Sequence, residues 1–267
     1  MTPDPLNTAV QRGVPLVVLS PHLDDAVLSC GALMAHARQH VPVTVVTLFT
    51  TGAPPPYTLS ARRCLHRAGM RDAEELYAAR RAEDEEVLTE MGVTWRHAGL
   101  TDGLFRRKTP AGHRTSRLLP ERQHVYPTYR RHLAAGRVSP HDIDVLRAIT
   151  RALRALDVPV ASDGTGPLML APLAVGGHAD HLLVRTAAEV SRRPRVVYYS
   201  DFPYDQREAV DSDFARRHNL RGEVTWTQGL DAKTDSVLGY RTQARAMFPG
   251  GHVPLTPEFY LFSEDSS

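Results

Sequence analysis

The sequence predicts an α/β fold: a three-layer α/β/α sandwich around a mostly parallel, Rossmann-like sheet. Three observations support this prediction. The runs at 14–19 and 43–49 are short, β-branched and continuously apolar, which is typical of strands buried on both faces of a parallel sheet. The segment at 26–39 between them carries apolar residues at helical spacing. Strand and helix patterns then keep alternating along the chain, as in a sheet covered by helices on both faces.

The remaining elements follow from local signals. Three consecutive prolines place a loop over 50–60, because proline neither donates to a ladder nor continues a helix. A long charged helix is expected over 72–91, ended by Gly92, with a strand over 93–98 after it. The second half predicts, in order, a helix near 141–156, a strand at 168–171, a helix from about His178 to Arg192, strands at 195–199 and near 222–227, and a last helix near 230–247.

The segment from about 101 to 140 has a different character. It is basic, rich in proline and spotted with aromatic residues, and it shows no sustained period. Long irregular segments of compact domains typically cover a site, although a solvent-exposed loop is the alternative. We therefore expect one domain over 1–267 with an irregular, substrate-covering insertion at about 101–140. The side chains of this insertion that could meet a polar substrate are Arg106, Arg107, His124, Tyr126 and Tyr129.

Composition excludes several classes of function. The net charge of +2 among 267 residues is too small to favour a nucleic-acid or membrane partner. The two cysteines, Cys30 and Cys64, do not form a CxxC pair, which excludes a disulfide framework and a thiolate zinc site. The N-terminus lacks a signal-peptide pattern, and no stretch approaches 18 apolar residues. We expect a cytoplasmic protein that acts on a small molecule, with the oligomeric state left open.

Two polar clusters follow predicted strands at the points where those strands end. His22, Asp24 and Asp25 come directly after the first strand, and the GGHADH stretch at 176–181 follows the strand at 168–171. Sites in open α/β sheets gather beyond the carboxyl ends of the strands. Because the ends of two parallel strands can be neighbours, we expect these clusters to meet.

The side chains of the two clusters are those of a catalytic metal site. His22 and His181 offer two imidazoles, and Asp24 or Asp25 offers a carboxylate, which together form a familiar zinc shell with one open position. A divalent cation would also compensate two adjacent carboxylates. The carboxylate that does not bind the metal would be free to act as general base, and His178 could stabilise an oxyanion or help to protonate a leaving group.

Simpler or different interpretations compete with a metal site. Asp24 or Asp25, and Asp180 in the second cluster, could merely cap the N-termini of the helices that follow. A dinucleotide site is excluded, because the loop after the first strand reads SPHLDD rather than GxGxxG, and no P-loop pattern is present. The occurrence of polar clusters at two strand ends favours the metal site over capping.

Four motifs resemble those of the PIG-L/LmbE deacetylases, zinc enzymes that remove N-acetyl groups from amino sugars and related amides. SPHLDDAVLSCG at 20–31 resembles the PHPDD-type signature of that family, and APLAVGGHADH at 171–181 resembles its second motif. ARRAEDEEVLTEMGV at 79–93 is similar to the RRxE helix, and KTDSVLGYRTQ at 233–243 is similar to the C-terminal K…YxSQ helix. The resemblance runs from about residue 14 to residue 245.

The resemblance implies a role for each residue of the two clusters. It implies that His22, Asp25 and His181 are the zinc ligands and that Asp24 is the general base. It also implies that His178 stabilises the oxyanion or helps to protonate the amine. The choice of Asp25 over Asp24 as the ligand comes from the family and not from spacing.

The same resemblance implies two substrate-binding residues. Asp102, in GLTDG, resembles a substrate-binding aspartate, and Arg80, in preference to Arg81, matches an arginine that contacts the substrate. The alternatives are that Arg80 belongs to a solvated helix face and that Asp102 shapes a turn with Gly103. A further set of candidates for acid or substrate contact is Tyr198, Tyr199 and Tyr204.

These observations predict a zinc-dependent hydrolase that removes an N-acetyl or other N-acyl group from an amino sugar or a sugar-bearing small metabolite. Fe²⁺ or Co²⁺ would suit the same ligands. Two alternatives stay open at the level of sequence. One is a metal-dependent amidase that cleaves a larger amide or a thiol-sugar conjugate, and the other is a non-catalytic sugar-binding α/β domain.

Overall fold

One seven-stranded sheet lies at the centre of the computed structural model, which describes residues 4–108, 119–191 and 195–263. In chain order its strands are β1 (Leu16–Ser20), β2 (Val43–Thr51), β3 (Thr94–Thr101), β4 (Leu168–Pro172), β5 (Val196–Tyr199), β6 (Leu220–Trp226) and β7 (Glu258–Ser263). They lie in the sheet in the order β3-β2-β1-β4-β5-β7-β6. Five neighbouring strands are parallel to one another, namely β3, β2, β1, β4 and β5. By contrast, β7 is antiparallel to both β5 and β6.

Helices cover both faces of this sheet. In chain order they are α1 (Pro5–Gln11), α2 (Asp25–Ala37), α3 (Leu59–Ala68), α4 (Ala73–Glu90), α5 (Pro120–Gln123), α6 (Ile143–Arg154), α7 (Ala179–Val190), α8 (Ser212–Arg217), α9 (Leu230–Leu238) and α10 (Arg241–Met247).

Alternate residues of β1 face two separate cores, because successive side chains of a strand point to opposite faces. Leu16 and Val18 pack in a core that includes residues of α1, α2 and α9. Val17 and Leu19 pack in a second core that includes residues of α6 and α7. Helix, sheet and helix layers therefore enclose two apolar interiors, and the predicted α/β sandwich with a mostly parallel sheet is confirmed.

The strand order places the two polar clusters next to each other. β1 lies between β2 and β4, so the chain winds away from β1 in one direction through β2 and β3 and returns to its other side at β4. Such a reversal leaves a crevice at the carboxyl ends of the two central strands, which is where open α/β sheets bind ligands. The polar clusters follow directly on β1 and β4, as the sequence predicts.

Several element boundaries differ from the predicted ones. The predicted helix near 230–247 is divided into α9 and α10, because the backbone leaves the helical region at Tyr240, with φ −80° and ψ 65°. The strand predicted over 93–98 extends to Thr101. Sequence reasoning missed five elements, namely α1, α3, α5, α8 and β7.

The insertion predicted at about 101–140 contains short helical turns rather than a wholly irregular chain. Its described residues include α5 and a π-helical turn at Tyr129–Leu133, and residues 109–118 lie outside the described ranges. The Gly136 N–H donates a hydrogen bond of 2.9 Å to the Gly177 carbonyl, which fastens the insertion to the loop after β4. Its substrate-covering role and the treatment of 1–267 as one domain stay predictions.

Candidate active site

The loop after β1 leaves its two aspartates free of helix capping. The Ser20 hydroxyl accepts a hydrogen bond of 2.9 Å from the Ala26 N–H at the start of α2, so a serine before the cluster satisfies this end of the helix. Asp24 makes no capping hydrogen bond. Asp25 Oδ2 accepts instead from the His22 N–H at 2.8 Å. The interpretation of Asp24 or Asp25 as a mere cap of α2 is therefore wrong.

The second loop shows the same arrangement at the start of α7. His178 is the N-cap, and its Nδ1 accepts a hydrogen bond of 3.3 Å from the Asp180 N–H. The Asp180 side chain points elsewhere, toward His22 and the Gly103 N–H. The capping interpretation of Asp180 is wrong as well.

Three of the predicted ligand atoms converge between the two loops. Asp25 Oδ2 lies 3.0 Å from His22 Nδ1 and 3.2 Å from His181 Nε2. All three side chains are largely buried, with 14%, 11% and 3% of the His22, Asp25 and His181 side chains exposed. The structure thus joins the first and second motifs at one point, as the sequence predicts from their positions at strand ends.

Each histidine of this group is oriented by a second carboxylate on its other ring nitrogen. His181 Nδ1 lies 2.6 Å from Asp201 Oδ1, and His22 Nε2 lies 3.2 Å from Asp180 Oδ2. Such outer partners fix which nitrogen of a metal-binding histidine faces the ion. Here they leave His22 Nδ1 and His181 Nε2 toward Asp25. Sequence reasoning missed the role of Asp201, although its place directly after a predicted strand is a signal that could have found it.

A buried arginine holds Asp180 in turn. Arg106 Nη2 lies 2.6 Å from Asp180 Oδ1, and Arg106 Nε lies 2.9 Å from Asp142 Oδ1. Tyr126 also donates to Asp142, at 2.6 Å, and His124 is buried with its Nδ1 2.7 Å from a backbone carbonyl. The expectation that Arg106, His124 and Tyr126 meet the substrate is therefore wrong, because these side chains are committed to bonds inside the protein.

The carboxylates of the site favour the protonated, positively charged forms of His22 and His181. Burial lowers the pKa of His181, but the carboxylates of Asp25 and Asp201 outweigh it and raise that pKa to about 10. Burial also lowers the pKa of His22, and hydrogen bonds to Asp180 and Asp25 raise it well above its usual value. For Asp25 burial raises the pKa, whereas His181 and His22 hold it well below its usual value. The carboxylates thus create a potential that attracts cations.

This donor set fits a divalent metal ion. Two imidazole nitrogens and one carboxylate oxygen converge, and their separations of 3.0 and 3.2 Å are close to those of ligands that each lie about 2.0–2.2 Å from a shared tetrahedral zinc ion. One ring nitrogen from each of His22, His178 and His181 lies within 4.8 Å of the other two, and the same holds for one ligand atom from each of His22, Asp102 and Asp180. A dication at this point would take over the compensation that protons on the two histidines otherwise provide.

Asp24 stands beside these atoms without a partner. No hydrogen bond or ion pair joins its carboxylate to the described residues. Burial and the neighbouring charge of Asp25 raise the pKa of Asp24 to about 7. A carboxylate with a pKa near neutrality can both accept and return a proton under working conditions, which is the requirement for a general base.

His178 presents a hydrogen-bond donor to the same space. Because its Nδ1 accepts from the Asp180 N–H, the proton of the neutral imidazole lies on Nε2. Burial and the charge of His22 lower the pKa of His178 well below its usual value, which keeps the ring neutral. Its ring centroid lies 4.9 Å from that of His22 and 5.3 Å from that of His181. The geometry suits a donor to an oxyanion, and the role of His178 stays a prediction.

The two neighbouring arginines of α4 differ in their contacts. Arg81 donates to the Thr50 carbonyl at 3.0 Å and pairs with Glu74 at 2.9 Å, so it is part of the scaffold. Arg80 lies with its guanidinium 5.6 Å from the centre of the Tyr77 ring, and its buried Nε has no hydrogen-bond partner among the described residues. The difference agrees with the choice of Arg80 over Arg81, although its role in substrate binding stays a prediction.

Asp102 lies close to the candidate metal ligands, but both of its oxygens are engaged. Oδ1 accepts from the Leu104 N–H at 2.7 Å, and Oδ2 accepts from the Tyr77 hydroxyl at 2.5 Å. The same Oδ2 lies 3.6 Å from His22 Nε2. The bond to Leu104 is the turn-shaping contact that the alternative interpretation expects. Its assignment to the substrate stays a prediction, since Asp102 is placed at the site yet also builds the turn.

The C-terminal motif contacts both α4 and the loop after β1. Glu83 of α4 accepts hydrogen bonds from the Thr242 N–H at 3.1 Å and from the Thr242 hydroxyl at 2.7 Å. The next residue, Gln243, donates from Nε2 to the Leu23 carbonyl at 2.6 Å. Leu23 precedes Asp24, so the α4 motif and the C-terminal motif together hold the loop that carries the aspartates.

The three tyrosines proposed as acid or substrate contacts take different positions. Tyr199 donates to the Leu19 carbonyl at 2.7 Å and is fully buried. Tyr198 packs edge-on against Phe214 at 5.3 Å in one of the two cores. A contact of Tyr198 or Tyr199 with substrate is therefore not supported. Tyr204 alone of the three is exposed, at the rim of the site.

Comparisons with known proteins agree with this geometry. A family model described as PIG-L, GlcNAc-PI de-N-acetylase, matches residues 17–191. A 2'-N-acetylparomamine deacetylase of Streptomyces fradiae is 32% identical over 229 residues, which cover 82% of this chain and 67% of that protein.

Solved structures of deacetylases have the same fold. A deacetylase of the teicoplanin biosynthesis pathway, in complex with teicoplanin, is 25% identical over 92% of this chain and 97% of that one, with a TM-score of 0.68. The A40926 pseudoaglycone deacetylase is 25% identical over 94% of this chain and 96% of that one, with a TM-score of 0.62. Within the described residues, no helix is both long and apolar enough to span a membrane.

Proposed function

Because this chain belongs to the PIG-L family of GlcNAc-PI de-N-acetylases, we propose that it removes an N-acetyl group from an amino sugar of a small metabolite. The reaction uses a divalent metal ion, for which zinc is our first choice. Membership of the family confirms the resemblance seen in the four motifs. The chain is accordingly an N-deacetylase, a hydrolase of linear amide bonds. The metal, the roles of the site residues and the class of substrate are the proposed parts.

One observation carries the proposal. His22 Nδ1 and His181 Nε2 both lie within 3.2 Å of Asp25 Oδ2, while Asp24, next in sequence to this proposed ligand, keeps a carboxylate that no described residue binds. A purely structural cluster would use every buried carboxylate, because an unpaired buried charge is costly. The combination of a convergent donor set and one free acid is what metal-assisted hydrolysis requires.

The side chains of this chain divide the work of the reaction. A divalent ion held by His22, Asp25 and His181 would supply Lewis-acid chemistry, which activates water and polarises the amide carbonyl. Asp24 accepts the proton that the attacking water loses. His178 donates a hydrogen bond from its Nε2–H group to the carbonyl oxygen, on which negative charge develops. Asp24 then returns the proton to the nitrogen of the leaving amine.

The outer residues keep this arrangement in place. Asp201 and Asp180 hold the two histidine rings in the orientation described above, and Arg106 balances the charge of Asp180. Burial of the histidine and carboxylate side chains excludes bulk water, which strengthens the interactions with charge that develops during the reaction. Arg80, with a buried and unpartnered Nε, is available to bind a substrate hydroxyl or carbonyl.

The test combines a metal analysis with a product analysis. We expect the purified protein to contain about one divalent ion per chain, with Zn²⁺, Fe²⁺ and Co²⁺ distinguished by elemental analysis. We expect the loaded enzyme to release acetate and a primary amine in equal amounts from at least one member of a panel of N-acetylated amino sugars. Larger amides and thiol-sugar conjugates in the same panel test the alternative amidase. A loaded enzyme that cleaves none of these amides would contradict the proposal.

A further inference from the structure

Two exposed tyrosines lie against the loop that carries His178. Tyr129 begins the π-helical turn of the insertion, and Tyr204 begins a short 3-10 turn after β5. They are 40% and 41% exposed, whereas Tyr77, Tyr199 and Tyr240 are at most 1% exposed. Exposed aromatic rings that lie together at the edge of a polar site are typical of binding surfaces rather than of a core.

Both rings contact the loop that carries His178. The Tyr129 ring centroid lies 5.9 Å from that of His178, with the planes tilted by 54°. The Tyr204 ring lies against Gly176, where an added Cβ would be 3.4 Å from the Tyr204 ring. The two rings therefore both lie against the loop of the second motif, at Gly176 and His178.

The Tyr129 ring reaches the proposed metal ligands through His178. The His178 ring centroid lies 5.9 Å from that of Tyr129, 4.9 Å from that of His22 and 5.3 Å from that of His181. The tyrosine surface therefore lies next to the residue proposed to bind the amide oxygen.

The backbone around both tyrosines is anchored to the site. The Ala134 N–H donates to the Tyr129 carbonyl at 2.9 Å, and the Gly136 N–H donates to the Gly177 carbonyl at 2.9 Å. The Tyr204 N–H donates to the Asp201 carbonyl at 2.7 Å. Asp201 is the residue that orients His181. A surface fixed to the same loops as the catalytic groups holds a constant position relative to them, as a specificity site requires.

We propose that Tyr129 and Tyr204 form a sugar-binding platform, on which a pyranose ring of the substrate lies while its N-acetyl group reaches His178 and Asp24. This inference rests on the proposed function and adds the group that selects a sugar. One face of a pyranose ring carries C–H groups, which pack on the face of an aromatic ring, and its rim of hydroxyls can bond the two phenol oxygens. An acyclic amide has no such face, so the platform discriminates between sugar and non-sugar amides.

The experiment measures binding in a form of the enzyme that does not turn over. The metal-loaded Asp24→Asn protein serves as parent, and N-acetylglucosamine and N,N'-diacetylchitobiose serve as sugar probes, with affinities from titration calorimetry or ligand-observed NMR. We expect Tyr129→Leu and Tyr204→Leu in this parent to weaken sugar binding by about tenfold each. The matched Tyr129→Phe and Tyr204→Phe variants keep the ring, and we expect their affinities to stay within about threefold of the parent.

A ring-free probe separates the platform from a general disturbance of the site. N-acetylethanolamine carries the same acetamide without a pyranose ring, and we expect the leucine variants to leave its saturation-transfer signal within about 1.5-fold of the parent, because no ring contact is lost. Metal content and thermal melting of each variant verify that the fold and the ligand set persist. Since both tyrosines are exposed, we expect neither to change.

The possible results decide for or against the platform. Leucine variants that bind the sugars as well as the parent, or phenylalanine variants that lose as much as the leucine variants, would overturn it. Loss of the N-acetylethanolamine signal to the same degree would overturn it too, because the defect would not depend on the sugar. If the unmutated enzyme cleaves acyclic acetamides but no amino sugar, the platform fails while hydrolysis stands. If it cleaves no amide at all, both proposals fail together.

Discussion

Two buried clusters of charge contact α2, one at its N-terminus and one at its middle, and they are built differently. At the middle, Lys233 Nζ lies 3.1 Å from Glu258 Oε1. Glu258 also accepts from the Ala32 and Leu33 N–H groups at 2.8 and 3.0 Å and from the Tyr260 hydroxyl at 2.8 Å. One cation meets one anion, and every oxygen has a donor. This cluster is closed.

The cluster at the N-terminus of α2 is open. Asp25, His22 and His181 converge there, but Asp24 has no partner among the described residues, and the buried Nε of Arg80 has none either. Burial costs free energy for every polar group that remains unpaired. The middle cluster therefore stabilises the position of α2, whereas the terminal cluster leaves groups unpaired that we propose to meet a metal ion, a water molecule and a substrate. The predictions below test this difference, from the largest expected effect to the smallest.

Removal of one ligand from the open cluster has the largest expected effect. His181→Ala deletes Nε2 from the donor set, so we expect bound metal to fall below about one tenth of an equivalent and deacetylation to fall by about 10³-fold or more. Elemental analysis and an amine-release assay measure both quantities. His36→Ala, which removes an imidazole from the last turn of α2, is the matched control. Full metal content in His181→Ala would contradict the ligand assignment.

Removal of the free acid should separate metal binding from turnover. Asp24→Asn keeps the size of the side chain but cannot accept a proton, so we expect kcat to fall by about 10²–10⁴-fold while metal content stays near that of the unmutated protein. The same two measurements on Asp25→Asn should show metal loss. If Asp24→Asn loses its metal and Asp25→Asn retains it, the roles of the two aspartates are exchanged.

The closed cluster should respond in stability rather than in chemistry. Lys233 and Glu258 are 3% and 2% exposed, and loss of one partner of such a buried pair typically costs about 3–5 kcal/mol because the other charge remains uncompensated. We therefore expect Lys233→Met to lower the free energy of unfolding by about this amount. Urea unfolding measures it, followed by metal titration of the folded variant. A Lys233→Met protein of unchanged stability would show that the cluster does not hold α2.

The sequence predicts the fold and the open cluster for the same physical reason. Apolar runs at 14–19 and 43–49 identify buried parallel strands, and polar side chains directly after such runs must lie at the carboxyl edge of the sheet. The position of His22, Asp25 and His181 follows from these patterns alone. The choice of Asp25 over Asp24 as the ligand required the family resemblance, because adjacent residues have the same spacing to every other motif.

The closed cluster and the outer carboxylates could not be predicted in the same way. Glu258 lies on β7, a short strand with alternating exposure that the sequence analysis missed, and its bonds to α2 bring together residues from opposite ends of the chain. Arg106 has the sequence context of a basic loop, yet tertiary packing buries it against Asp142 and Asp180. Local patterns do not encode such long-range pairings, so charged residues of the insertion looked free when they were not.

The smallest expected effect concerns a residue that belongs to both kinds of cluster. Asp201 is buried and bonded on both oxygens, to His181 Nδ1 at 2.6 Å and to the Val175 N–H at 2.8 Å, and yet it acts on a proposed ligand. Asp201→Asn keeps hydrogen bonding but removes the charge that supports His181 as a ligand. Replacement of such outer partners typically weakens metal binding by about 10–100-fold, and we expect a change within this range in competition with a chelator. A loss of stability without a loss of metal affinity would place Asp201 with the closed cluster, whereas weaker metal binding in a stably folded protein places it with the open one.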